Sequence, residues 1–163
     1  RPISAYFWAL NNLHLPNRFQ DNSKAGYVLN AYGYSATVGF SPADARTYYF
    51  GSNNVFIPTL TPTAYRIYIP KDGTIKTANL SFYVNTTIAS AETSSAYIRL
   101  NNTTDYLISS SVTLNDASRY NVFLNNSMSI PVVAGDYIEI KWDTPDWATN
   151  PTNIRPSALI YIE

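Results

Sequence analysis

The chain has no cysteine, which excludes a disulfide framework, a thiolate zinc site and a cysteine nucleophile, and leaves the redox compartment unmarked. It has one histidine, His14. A single imidazole cannot build a multi-histidine metal site, and neither an HExxH pattern nor a serine elbow accompanies it. Charge is also scarce: Asp, Glu, Lys and Arg make up 13% of the residues, about half the usual share. The two signs balance at 11 each, with no basic run. The counterion release that drives nucleic-acid binding therefore has no source, and no nucleic-acid partner is expected. Apolar runs stop after a few residues, far short of the roughly 20 that a membrane-crossing helix needs, so no membrane insertion is expected. Helix formers never accumulate over a window long enough to sustain a helix.

Aromatics fill part of the gap. They make up 15% of the chain, with 14 tyrosines, and Asn, Ser and Thr take the polar positions that charges usually hold. Tyr, Thr, Val and Ile suit pleated, half-buried surfaces. A length of 163 residues fits one domain able to bury a core without cross-links, so residues 1–163 are read as a single β domain. The chain opens at Arg1, directly on the strand-like ISAYFWAL, and is read as the C-terminal piece of a longer protein.

Several segments alternate with period two, as a strand with one face in a core must. In YRIYI, Tyr65, Ile67 and Ile69 share a face opposite Arg66 and Tyr68. From Tyr137 to Trp142, Ile138, Ile140 and Trp142 oppose Tyr137, Glu139 and Lys141. Shorter runs are Leu80–Val84, Tyr97–Leu100, Tyr106–Ser110, Ile130–Val133 and Leu159–Ile162. Between them stand breakers: Pro70 to Gly73, Asn101 to Asp105, Asn125 to Ser127, Ala134 to Asp136, and Pro145 through Pro156. Short strands at this spacing point to an all-β antiparallel sandwich or jelly roll. Ser41 to Ala45 (SPADA) is expected to form one helical turn, with Ser41 as N-cap and Pro42 at the first helical position.

Candidate sites are few. Asp143 and Asp146 flank Thr-Pro and could approach the separation of a glycosidase carboxylate pair, but aspartates at strand ends and before loops are ordinary turn residues. The chain is read as a non-enzyme with no cofactor and no metal; NNTTD lacks the glycine and glutamate of a calcium loop and reads as a hairpin turn. Trp142 falls on the core face. Trp147, beyond Pro145, either seals the core edge or offers a stacking surface to a sugar, and the same two readings apply to Tyr48 and Tyr49 before Gly51. The sequons at Asn79, Asn85, Asn101, Asn102 and Asn125 match what a chain rich in Asn, Ser and Thr yields by chance.

The order YRIYIPKDGTIKTANLSF, SSAYIRLNNTTDYLISSSVTL, SIPVVAGDYIEIKWDTPDWATNPTNIRPSALIYIE, together with TYYFG at Thr47 to Gly51, resembles the C-terminal knob domains of tailed-phage fibre, needle and receptor-binding proteins. The resemblance covers Tyr65 to Glu163 and that short segment. VVAGDYIEIKW followed by PDWATNP is its most specific part. It implies the jelly roll of C1q and tumour necrosis factor, a homotrimer, a place at the tail tip of a virion, and a host cell-surface glycan or protein as receptor. It further implies that the first and last strands are neighbours, with ISAYFWAL pairing LIYI at Leu159, in a sheet facing a three-fold axis. Tyr65, Tyr68, Tyr137 and Tyr161 are the expected trimer contacts. Trp147, Asp143, Asp146, Tyr48 and Tyr49 are the expected receptor contacts. No catalytic residue carries over. The alternatives are a trimerisation cap without a ligand and a stand-alone carbohydrate-binding module.

Overall fold

A computed structural model of the chain describes residues 26–33, 40–51, 60–84, 92–114 and 119–163. His14, Asn85 and the ISAYFWAL segment lie outside these residues. The described part contains ten strands: β1 (Tyr27–Tyr32), β2 (Thr47–Phe50), β3 (Ile67–Tyr68), β4 (Gly73–Val84), β5 (Thr93–Leu100), β6 (Thr104–Thr113), β7 (Tyr120–Asn125), β8 (Ile130–Val132), β9 (Tyr137–Asp143) and β10 (Ile154–Ile162). They form two antiparallel sheets, one in the order β1-β10-β4-β7 with β8 on β4, the other in the order β2-β9-β5-β6 with β3 on β9. The sheets pack face to face as an all-β jelly-roll sandwich.

The core is what period-two alternation requires. Ile138, Ile140 and Trp142 of β9 meet Ala78, Leu80, Phe82 and Val84 of β4 and Ile154, Ile160 and Ile162 of β10 in one buried cluster. Trp142 anchors it, with its ring 4.8 Å from that of Phe82 and its indole N–H donating to the buried Ser94 hydroxyl at 2.9 Å. That bond satisfies a polar group that would otherwise be costly to bury.

The elements differ from the sequence expectations in several places. Tyr65 lies in a 3-10 turn, Pro62–Tyr65, and only Ile67–Tyr68 is strand. The SPADA segment bends as a turn instead of a helical turn, with Ala45 in the left-handed region at φ 46°. It is held by Asp44, whose carboxylate accepts from the Trp147 N–H at 3.2 Å and the Asn150 side-chain amide at 2.8 Å. The link through Pro156 is shorter than expected because β10 starts at Ile154 and includes that proline. Proline is tolerated in this central strand because Pro156 sits level with Gly33, just past the end of β1, and keeps its carbonyl bonded to the Gly33 N–H at 2.9 Å.

The first described strand and the last are neighbours: β1 pairs with β10 along its whole length, from Tyr27 opposite Ile162 to Tyr32 opposite Ser157. The other edge of β10 is filled by β4. The expected pairing of ISAYFWAL with Leu159–Ile162 lies outside the described residues; among those described, β1 and β4 flank Leu159–Ile162. At the hairpin between β5 and β6, Asn101 and Asn102 take positive φ of 50° and 57°, the mirror-image turn that matches strand twist and favours asparagine. Gly51 bridges to Tyr32, and a Cβ on it would overlap the Tyr65 carbonyl oxygen.

Candidate functional site

A sandwich has two outward faces, and here they differ in chemistry. On the β2-β9-β5-β6 sheet, the outward positions carry the charges. Arg99 of β5 lies opposite Glu139 of β9 and opposite Asp105 of β6. The Arg99 guanidinium pairs with Asp105 at 2.8 Å and with the Asn102 side-chain and backbone oxygens at 3.1 and 2.8 Å. Lys141 bridges Asp105 at 2.8 Å and Asp143 at 3.4 Å. Burial pushes the Asp105 pKa up, but the hydrogen bonds from Lys141 and Arg99 outweigh it and hold that carboxyl below its ordinary value.

Glu139 stands apart within this network. It points away from the core yet is 0% exposed, and neither carboxylate oxygen accepts a hydrogen bond. Its nearest cation is the Arg66 guanidinium, at 3.8 Å, which also lies 4.0 Å over the Tyr137 ring. Burial raises the Glu139 pKa to about 7, against the pull of Arg66 and Arg99. A glycosidase pair needs a second carboxylate facing the first across a substrate. Asp105 and Asp143 are instead bound to Lys141, and Glu139 has no such partner in its network.

The expected receptor contacts fall in different places. Trp147, Tyr48 and Tyr49 are 5%, 7% and 8% exposed, so little of each ring faces solvent. Trp147 seals the edge of the core because its backbone is pinned by Asp44. Tyr48 packs at 4.7 Å on Phe40 and accepts from the Ala43 N–H at 2.9 Å. Asp143 accepts from the Thr47 hydroxyl at 2.6 Å as well as pairing with Lys141, while Asp146 faces solvent. The two aspartates are therefore not gathered into one cleft. The four expected trimer tyrosines are also divided. Tyr65 is buried; Tyr68 and Tyr137, rings 5.8 Å apart, pair across β3 and β9 of the charged sheet. Only Tyr161 lies on the sheet that contains both β1 and β10.

That sheet presents a different surface. Strand register sets its outward residues in rows: Val28, Tyr161 and Thr77; Asn30, Leu159, Asn79 and Leu124; Tyr32, Ser157, Ser81 and Val122; Arg155, Tyr83 and Tyr120. Arg155 is the one Lys, Arg, Asp or Glu among them. Val28, Leu159, Val122 and Leu124 are 41–56% exposed. In the middle of this face the side-chain oxygen of Asn79 is buried without a hydrogen bond, as is Nε of Arg155. Sequence reasoning missed these rows because β1 and β7 put apolar residues outward, which erases the alternation that marks a strand. The one available signal was the register that follows once β4 and β10 are paired.

No protein-family model matches the chain, and no curated protein is detectably similar to it.

Proposed function

We propose that the chain is the attachment domain of a trimeric viral fibre, which assembles through the outward face of the β1-β10-β4-β7 sheet and binds a host cell-surface glycan or protein. The observation that carries this reading is the group of exposed Val28, Leu159, Val122 and Leu124, spread over three adjacent rows in which no residue is charged. Exposed apolar residues gathered on one rigid face mark interaction surfaces, and a face without like charges can meet copies of itself without repulsion or unpaired ions. The strand order, with the first described and last strands adjacent in that sheet, agrees with the resemblance to phage knobs. Avidity over three copies would let a weak single site hold a cell.

Light scattering on the purified chain tests assembly. The reading requires a mass three times the 18.2 kDa of one chain; a monomer at micromolar concentration would refute the fibre-tip assignment. A glycan array tests attachment, with reproducible capture of a glycan class as the expected outcome. A trimer that captures nothing on the array and does not adhere to cells would leave the trimerisation cap as the better account.

A further inference from the structure

Ser81 of β4 and Ser157 of β10 are direct cross-strand neighbours, and their small side chains leave a trough across the otherwise bulky outward face. One hollow of about 490 Å³ is lined by Ser81, Tyr83, Tyr120, Arg155 and Ser157. A second of about 280 Å³ shares both serines and continues toward Asn79 and Tyr32. Together they fall in the size range of small-ligand sites. The Tyr83 and Tyr120 rings stand 5.1 Å apart at one wall, and the Arg155 guanidinium lies 5.7 Å from the Tyr83 ring.

Arg155 is the informative residue. No carboxylate pairs with it among the described residues and its Nε is buried without a hydrogen bond, whereas Lys76, at the other end of β4, is paired with Glu163 at 3.6 Å. A guanidinium braced on an aromatic ring and lacking an acid is set up to take a carboxylate in a two-pronged hydrogen bond. The floor supplies the complement: the Ser81 and Ser157 hydroxyls, which line both hollows, suit hydroxyl groups of a ligand. An anion with hydroxyls on the same ring fits this lining, with its carboxylate on Arg155, the serine hydroxyls beneath and the tyrosine rings at the side. Val28, Leu159 and Leu124 lie in the two rows toward the opposite end of the sheet and Val122 at the β7 edge of the serine row, so self-association centred on the first three leaves the Arg155 end at the margin.

Resting on the attachment reading, we propose that this trough binds a carboxylate-bearing sugar, with Arg155 taking the carboxylate, Ser81 and Ser157 the hydroxyls, and Tyr83 and Tyr120 flanking the ring. Ligand-observed saturation-transfer NMR on the purified chain tests it with sodium glucuronate, N-acetylneuraminate, glucose and sodium acetate as probes. The expected result is saturable binding of one or both sugar acids, with glucose and acetate weaker by about tenfold or more, the scale of losing charge-assisted hydrogen bonds. Arg155→Gln should weaken the sugar acids by at least about tenfold without moving the melting temperature. Ser157→Phe, which fills the floor, should abolish binding of both. Unchanged binding in Arg155→Gln, acetate binding as well as glucuronate, or no binding of either sugar acid would each overturn the assignment. The two readings fail separately: a trimer that captures neutral glycans with no dependence on Arg155 keeps the attachment function and loses this site. A monomer that binds glucuronate through Arg155 keeps the site and loses the fibre.

Discussion

The two outward faces of this sandwich are built on equally regular antiparallel ladders and have opposite chemistries. The β2-β9-β5-β6 face answers its own charges: Arg99, Lys141, Asp105 and Asp143 form a closed set of pairs, and Arg66 covers Tyr137 beside the buried Glu139. The β1-β10-β4-β7 face carries fewer charges and exposes aliphatic side chains, with an Asn79 oxygen without a donor and an Arg155 without an acid among the described residues. A face whose exposed charges are paired with one another gains little from a partner, although the Glu139 carboxylate and the Nε atom of Arg66 there stay buried without hydrogen bonds. A face with apolar surface exposed and hydrogen-bonding capacity unused is where a partner gains most.

This contrast can be broken most sharply at the level of assembly. Val28→Lys with Leu124→Lys puts two cations per copy on rows that carry no charge, and the mass by light scattering is expected to fall to that of a single chain, with the circular dichroism spectrum unchanged. Lys141→Gln on the opposite face should leave the mass alone. Equal effects on the two faces would remove the distinction.

Next in size is the titration of Glu139. The folded chain holds its proton up to about pH 7, against an ordinary value of 4.5, so between those limits the folded state binds more protons than the unfolded one. The contribution is full below about pH 4.5 and is lost as pH rises through 7, a loss of up to ~3 kcal/mol at pH 8. Urea unfolding of the wild type at pH 5 and pH 8 should show this decline. Glu139→Gln should flatten it and be the more stable chain at pH 8. A wild type equally stable at both values would mean that the Arg66 and Arg99 charges compensate the burial fully.

Smaller effects sharpen the same comparison. Asp105→Asn removes the acid shared by Arg99 and Lys141 and should cost ~1 kcal/mol at neutral pH, because these pairs are only partly shielded from solvent. Its lowered pKa places that contribution above the ordinary carboxylate range and removes it as pH falls through the folded value. The difference between Asp105→Asn and wild type should shrink in acid and in high salt. On the other face, Asn79→Leu takes away a buried oxygen that has no donor. Measured on the monomeric Val28→Lys, Leu124→Lys background, it should be neutral or stabilising by a few tenths of a kcal/mol, whereas a loss above ~1 kcal/mol would reveal a partner for Asn79 within the chain.

The same contrast explains which strands could be read from the sequence. β9 alternates Ile138, Ile140, Trp142 against Tyr137, Glu139, Lys141, because its outward face is charged, and its limits were read almost to the residue. β7, YNVFLN, inverts the rule: Tyr120, Val122 and Leu124 are exposed while Asn121 is buried, so its apolar residues do not mark a core face. β1, with Val28 and Tyr32 outward, was hidden in the same way, and of β4 and β10 only the apolar tails, Leu80–Val84 and Leu159–Ile162, were legible. Of the site residues, Trp142 followed from alternation. Trp147 stood between two roles until its backbone was seen to be held by Asp44, a hundred residues away along the chain.

The sequence by itself determined the class of the fold and what the chain does without. Absent cysteine, a lone histidine and balanced sparse charge rule chemistries out wherever the residues lie, and period-two alternation with regular turns permits only antiparallel sheets. The tertiary structure decided everything that depends on which residues meet. It closed Arg99, Lys141 and Asp105 into a network and placed Glu139 where burial lifts its pKa. It also set Ser81 beside Ser157 so that Arg155 and Asn79 open onto one trough. Such groupings come from strand register between segments far apart in the chain, and no local pattern encodes them.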